Sequence, residues 1–235
     1  MKNLLKLPTL MLAIVLSIGS VVVATAQDAT PEAAADGDYG SPVAVLECWS
    51  DEPDSSTAGF PQFPGVPEMV IDTTKAYFAE IVTNRGTIVV QLYADVAPVT
   101  VNNFACLATN DYFDGVIFHR VMRDFMIQSG DPTGTGRGGP GYQFNDELPG
   151  DELNYIEGSL AMANSGPNTN GSQFFISSSN NSGTLQKNYT IFGQVVEGQE
   201  VVQLISEIPV SMNQQGEQSV PAATITILDI TIFEK

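Results

Sequence analysis

Two runs of the sequence gather side chains that could do chemistry. The first is Phe118-His119-Arg120-Val121-Met122-Arg123-Asp124-Phe125-Met126-Ile127-Gln128-Ser129-Gly130-Asp131. The second is Met162-Ala163-Asn164-Ser165-Gly166-Pro167-Asn168-Thr169-Asn170-Gly171-Ser172-Gln173-Phe174-Phe175-Ile176. Together they offer an arginine, several amides and large apolar groups. Arginine stays charged at any working pH and presents a planar fork of donors. Covalent and metal chemistry find little support. No Gly-x-Ser-x-Gly nucleophile elbow occurs in the chain. His119 is the only histidine, and one histidine with two cysteines does not make a zinc site. It is expected to point away from Arg120 on its strand and to pack. Gly134-Thr135-Gly136-Arg137-Gly138-Gly139 has the spacing of a dinucleotide loop, but Pro140 follows at once and no amphipathic helix opens there. Neither metal nor cofactor is expected. The formal net charge is -18, from 27 acidic and 9 basic residues, so nucleic acid is not an expected partner.

The two runs resemble the two signature stretches of cyclophilins, a family of peptidyl-prolyl cis–trans isomerases. Asp131-Pro132-Thr133-Gly134-Thr135-Gly136-Arg137-Gly138-Gly139 resembles a loop of the bacterial-type members. The resemblance covers residues 75–235. It implies a mainly β fold, a closed eight-stranded antiparallel barrel capped by two α-helices, with the site on its outer face. It also implies a role for each matching residue. Arg120 matches the catalytic arginine. Phe125, Met126 and Phe175 match the pocket for the proline ring. Gln128, Ala163, Asn164 and Gln173 match groups that hold the substrate backbone. Leu185 matches a further pocket wall, and Tyr189 falls where many members have histidine. Thr184 falls near a tryptophan of the cyclosporin-sensitive members. The implied partner is a proline-containing polypeptide, and a monomer is expected.

These residue types suit that reaction. The peptide C–N bond has partial double-bond character and a rotation barrier of about 18–20 kcal/mol. A catalyst must favour the twisted amide over both planar forms. On twisting, the nitrogen lone pair leaves conjugation and becomes a hydrogen-bond acceptor. A guanidinium aimed at it stabilises the twisted state without covalent chemistry. An apolar pocket holds the ring while the preceding carbonyl swings. The second reading is a binding module of the same fold that grips proline segments without turnover. Thr184 and Tyr189 keep it open.

Several elements must position these groups. Residues 76–83 and 87–93 are β-rich runs around Asn84-Arg85-Gly86, a hairpin pattern. Pro98 suits the first turn of a helix, and Val101, Phe104, Ala105 and Ala108 then give one apolar face. Short strands and glycine-rich loops are expected over 115–195, and a second helix over 199–206. The alternation of Ile225 and Ile227 slips by one residue before Ile230 and Ile232, which predicts a bulge.

Residues 1–26 read as a secretory signal: Lys2 and Lys6, an apolar stretch from Leu10 to Val23, then Ala24-Thr25-Ala26. An uncleaved anchor is the alternative. Either places the remainder outside the cytoplasm, with no membrane span left after cleavage. Residues 27–42 read as a disordered spacer. Residues 43–74 carry Trp49, Phe60, Phe63, Val66 and Met69 among prolines 53, 61, 64 and 67, and are expected to wrap a domain surface with the aromatics as anchors. Export permits a disulfide between Cys48 and Cys106. The alternative is that Cys106 is a small buried apolar residue of its helix.

Overall fold

The computed structural model describes residues 37–56 and 58–235. The expected signal, 1–26, and spacer residues 27–36 lie outside them. In chain order the elements are β1 (Ser41–Pro42), β2 (Tyr77–Thr83), β3 (Gly86–Leu92), α1 (Pro98–Thr109), β4 (Arg120–Met122), β5 (Met126–Ser129), β6 (Ser159–Met162), β7 (Phe174–Ser177), β8 (Ile191–Glu197), α2 (Gln199–Ser206), β9 (Val210–Met212), β10 (Gln218–Pro221) and β11 (Ile227–Glu234). Among the described residues no helix is long and apolar enough to cross a membrane.

Nine strands form one antiparallel sheet in the order β1-β11-β2-β3-β8-β6-β7-β5-β4, and β9 pairs with β10 separately. Strand periodicity explains the pairing. In β2, Tyr77, Ala79, Ile81 and Thr83 are buried and alternate with less buried residues. In β11 the alternation slips between Ile227 and Asp229, where the register with β2 also shifts. The bulge turns Ile230 and Ile232 back to the buried side.

The expected closed eight-stranded barrel is not confirmed in that form: the ladder has nine strands, and its pairing order does not run round to a close. The extra strand is β1, paired with the edge of β11. On the other side, β4 and β11 share no ladder. Instead Gly115 N donates to Ile227 O (3.0 Å), Ile227 N to Val116 O (2.9 Å) and Phe118 N to Ile225 O (2.9 Å), a short irregular seam. The turn before this seam holds Asp111 and Gly115 in left-handed conformation, at φ 57° and 76°. The spacer also needs correction at its end. Ser41 and Pro42 are strand, and the Tyr39 ring lies 5.0 Å from that of Phe78.

The predicted single apolar face of α1 is too narrow. Thr100, Asn102 and Asn103 are buried as well as Val101, Phe104, Ala105 and Ala108. One side meets the sheet core, where Phe104 packs 5.2–5.5 Å from Phe113, Phe174 and Phe192. The opposite side is covered by the 43–74 arm. Asn102 Oδ1 accepts from Val70 N (2.9 Å), and its Nδ2 donates to Glu68 O (2.8 Å). Asparagine so placed is a bonded core residue, as buried polar groups require. Cys48 is bonded to Cys106 of α1, with Cα atoms 6.0 Å apart. Trp49 stacks on Phe63 at 4.0 Å, and both pack on the core. Within the arm Cys48, Phe63, Pro67 and Ile71 are buried, the expected anchors Trp49 and Phe60 are partly buried, and Val66 and Met69 are 42% and 50% exposed. The first turn of α1 has no side-chain cap of its own. The carboxylate of Glu147 takes its place, accepting from Val99 N (3.0 Å) and Thr100 N (2.8 Å), where a negative charge also suits the helix dipole.

Candidate active site

Register sorts β4, β5 and β7 into two faces. Arg120 lies opposite Gln128, Met122 opposite Met126, and Gln128 opposite Phe175. With a side-chain period of two, these five residues share one face, while Val121, Ile127, Phe174 and Ile176 point into the main core. The outer face therefore builds its own apolar cluster. Met126, Tyr155, Ala161, Phe175 and Ile191 are its buried members, and Met122, Phe125, Leu153, Ala163, Leu185 and Tyr189 pack on them.

A cleft of about 180 Å³ opens over this cluster. Arg120, Phe125, Met126, Gln128, Ala163, Asn164, Phe175, Leu185 and Tyr189 line it, which is every expected site residue except Gln173. Gln173 lines an adjoining cleft of about 190 Å³ together with Gln128, Asn164 and residues 136–140 of the glycine loop. Thr184 lies outside both linings and is exposed.

Several loops hold this arrangement. Asp124 takes the left-handed conformation (φ 55°) in the β4–β5 turn. Ser178 N and Asn181 Nδ2 both donate to Phe125 O, at 3.0 and 2.8 Å, and so fix the next residue. Tyr189 is set by Tyr155, whose hydroxyl donates to Tyr189 O (2.8 Å) and accepts from Tyr189 N (3.1 Å). The Tyr189 and Phe175 rings meet edge to face at 5.7 Å. Asn164 Nδ2 donates to Asn188 O (2.9 Å), tying the end of β6 to the Leu185–Tyr189 wall. Gly130 is required where β5 leaves the site: its φ is +84°, and a Cβ there would sit 2.2 Å from Ser172 O.

The polar groups form a directed chain. Arg120 Nη1 donates to Gln128 Oε1 (3.1 Å), Gln128 Nε2 to Gln173 Oε1 (3.0 Å), and Gln173 Nε2 to Gly138 O (2.9 Å). Gln62 of the arm donates to the next carbonyl, Gly139 O, at 2.9 Å. Arg120 also donates through Nε and Nη2 to both carboxylate oxygens of Glu217, at 2.8 and 2.7 Å. That pair holds the Glu217 carboxyl at about 2, well below its ordinary value. The glycine loop turns on Asp131, which accepts from Thr133 N, Thr135 N and Arg137 N at 2.7–3.1 Å. Burial alone would raise the Asp131 carboxyl, but hydrogen bonds from the Thr133 hydroxyl and from the backbone of Thr133 and Gly138 hold it below the usual range. His119 lies beneath this loop without a hydrogen-bond partner among the described residues, and burial lowers its pKa. Among the described residues no group of acidic, histidine or cysteine side chains is placed to hold a metal ion.

Residues 78–232 match the family model described as cyclophilin type peptidyl-prolyl cis-trans isomerase/CLD. The chain belongs to this family. Like its relatives, it is an isomerase. It is 47% identical over 167 residues to peptidyl-prolyl cis-trans isomerase A of Mycobacterium tuberculosis, covering 63% of this chain and 91% of that protein. It is 42% identical over 153 residues to peptidyl-prolyl cis-trans isomerase-like 3 of Dictyostelium discoideum, covering 64% and 91%. The crystal structure of a Cryptosporidium parvum cyclophilin type isomerase is similar at a TM-score of 0.62 and 36% identity, over 68% of this chain and 99% of that one. A second structure of that cyclophilin, in the presence of the dipeptide Ala-Pro, is similar at 0.61.

Glu217, Met122 and Tyr155 were not among the sequence candidates. Asn213-Gln214-Gln215-Gly216 reads as a turn, but nothing in its spacing to Arg120 announces that Glu217 will meet it.

Proposed function

We propose that this cyclophilin isomerises X-Pro bonds of exported polypeptides, with Arg120 as the catalytic residue. The observation that carries the reading is the seating of the Arg120 guanidinium on the rim of an apolar cleft floored by Met126 and Phe175. The proline ring enters that cleft, flanked by Phe125, Leu185 and Tyr189. Arg120 Nη1, on the side of Gln128 and Met126, donates to the ring nitrogen as it leaves conjugation. That acceptor exists only in the twisted state, so the interaction is differential. Gln128, Asn164, Ala163 and Gln173 hold the flanking chain across the two clefts. No proton is transferred and no bond breaks.

Two features support export: the signal-like residues 1–26 and the Cys48–Cys106 bond, a linkage that persists in oxidising compartments. The test has two arms. Exchange NMR on a labelled X-Pro peptide with catalytic amounts of the full chain should show line-broadening between cis and trans signals; slow exchange at the uncatalysed rate would leave only a binding module. Fractionation of the native host should find the protein outside the cytoplasm and trimmed near residue 26. A cytoplasmic, untrimmed chain would sink the exported-substrate reading alone.

A further inference from the structure

We infer that Glu217 is a positioning residue for the reaction: its carboxylate clamps one edge of the Arg120 guanidinium and so aims the other at the twisted amide. The inference rests on the reading of Arg120 as the catalytic group. A guanidinium has five N–H donors spread over two usable edges. Glu217 takes the Nε–Nη2 edge through two parallel bonds of 2.8 and 2.7 Å, the bidentate geometry that fixes orientation best. The edge left over carries Nη1, which lies by Gln128 Oε1 (3.1 Å) and Met126 Sδ (3.8 Å), both on the cleft wall. Arginine otherwise has several rotatable bonds, and holding it ready before substrate arrives removes that ordering from the barrier.

Glu217 is itself held. It leads into β10 from the tight β9–β10 turn, where Asn213 Oδ1 accepts from Glu217 N (2.9 Å) and Asn213 N donates to Glu217 O (2.8 Å). Gly216, at φ +82°, supplies the left-handed step that brings the next residue round. The β9–β10 hairpin is a ladder of its own that packs against β4, and Glu217 meets Arg120 there. Arg120 and Glu217 are 32% and 33% exposed, so the pair is partly screened, and its contribution is geometric more than a matter of stability.

The test is a double-mutant cycle on the full chain: wild type, Glu217→Gln, Arg120→Ala and both together, with Glu217→Asp alongside. Glu217→Gln keeps the shape but loses the charge and one oxygen acceptor. We expect kcat to fall about tenfold with KM within about twofold, the split that marks loss of a contact made in the transition state. Glu217→Asp should recover part of this. The double variant should be no slower than Arg120→Ala alone. The Arg120 Nε–Hε resonance, sharp in wild type, should move and exchange faster with solvent in Glu217→Gln, even where melting temperatures match. Three results would overturn the inference: Glu217→Gln at wild-type rate while Arg120→Ala is slow, a double variant slower than Arg120→Ala, or a change in KM alone. A fully active Arg120→Ala would instead remove Arg120 itself, and the proposed mechanism with it.

Discussion

Cys48 is bonded to Cys106, and this covalent link joins a proline-rich arm to α1, which is buried on both sides. From Cys48 the arm runs through Trp49 to Gln62 and Phe63; the Phe63 ring stacks on Trp49, and the Gln62 side chain donates to Gly139 O beside the two clefts. The bond closes a loop spanning a sequence separation of 58. The chain-entropy model gives such a loop roughly 4 kcal/mol of stabilisation. Reduction, or Cys48→Ser with Cys106→Ser, should therefore lower unfolding free energy by up to that amount in urea titration. Trp49 is the only tryptophan, so its fluorescence reports whether the arm lifts. Intact mass before and after reductant and alkylation checks the bond; two free thiols in native protein would remove this account.

How much of this was legible before the structure depends on range. The hairpin around Asn84–Gly86, the helix opening at Pro98 and the bulge at Leu228–Asp229 rest on local periodicity, and the structure has them where the residues place them. Arg120, Met126, Gln128 and Phe175 were named through resemblance, and register then explains why they share a face. The all-round burial of α1 was not legible. Nothing in the one predicted apolar face marks Asn102 and Asn103 as buried; the arm and Gly171 supply their partners. The short irregular seam between residues 115–118 and 225–227 was not legible either, since the two segments lie more than a hundred residues apart. Glu217 lies 97 residues from Arg120, and only tertiary folding brings such a pair together.

Cyclosporin should bind this protein much more weakly than it binds family members that carry a tryptophan near this position. Thr184 is exposed and bonds back to Asn181 O (3.2 Å), offering neither an indole N–H nor its area. Losing one hydrogen bond and that contact is expected to cost roughly 2–4 kcal/mol. Calorimetric titration checks it. Nanomolar affinity in the wild type would mean that another side chain takes the tryptophan's place.

Activity should vary by less than about twofold between pH 6 and 9, because no titrating base takes part. The groups around the site agree. Glu217 is held at about 2 by Arg120, and burial lowers His119 from its ordinary value. Stability should behave differently on the acid side. Glu217 has a depressed folded pKa, so its contribution is present above about pH 4.5 and is lost as the pH falls toward 2. His119 is also depressed, so the unfolded chain takes up its proton first and stability begins to fall below about pH 6.5. Thermal melts and exchange rates measured across the same pH series separate the two. A bell-shaped rate centred near neutrality, with unchanged melts, would require a proton-transfer step.

The sharpest expectation concerns Arg120. If, as proposed, its Nη1 edge donates to the reacting nitrogen only when that nitrogen is pyramidal, removing it should raise the barrier and leave ground-state binding nearly intact. Arg120→Ala should lower kcat/KM for X-Pro peptides by two to three decades, about 3–4 kcal/mol by transition-state arithmetic. Arg120→Lys should recover little, since a point ammonium cannot engage Glu217 at two points and still face Gln128. Phe125→Ala should behave in the opposite way and weaken binding and turnover together, because that wall of the cleft touches the ring throughout. Exchange NMR on one labelled peptide, with variants compared at matched folding stability, gives both quantities in one experiment. Equal exchange rates for wild type and Arg120→Ala would take the guanidinium out of the mechanism. A rise in Kd that accounts for the whole loss would make Arg120 a binding group, with nothing reserved for the twisted state.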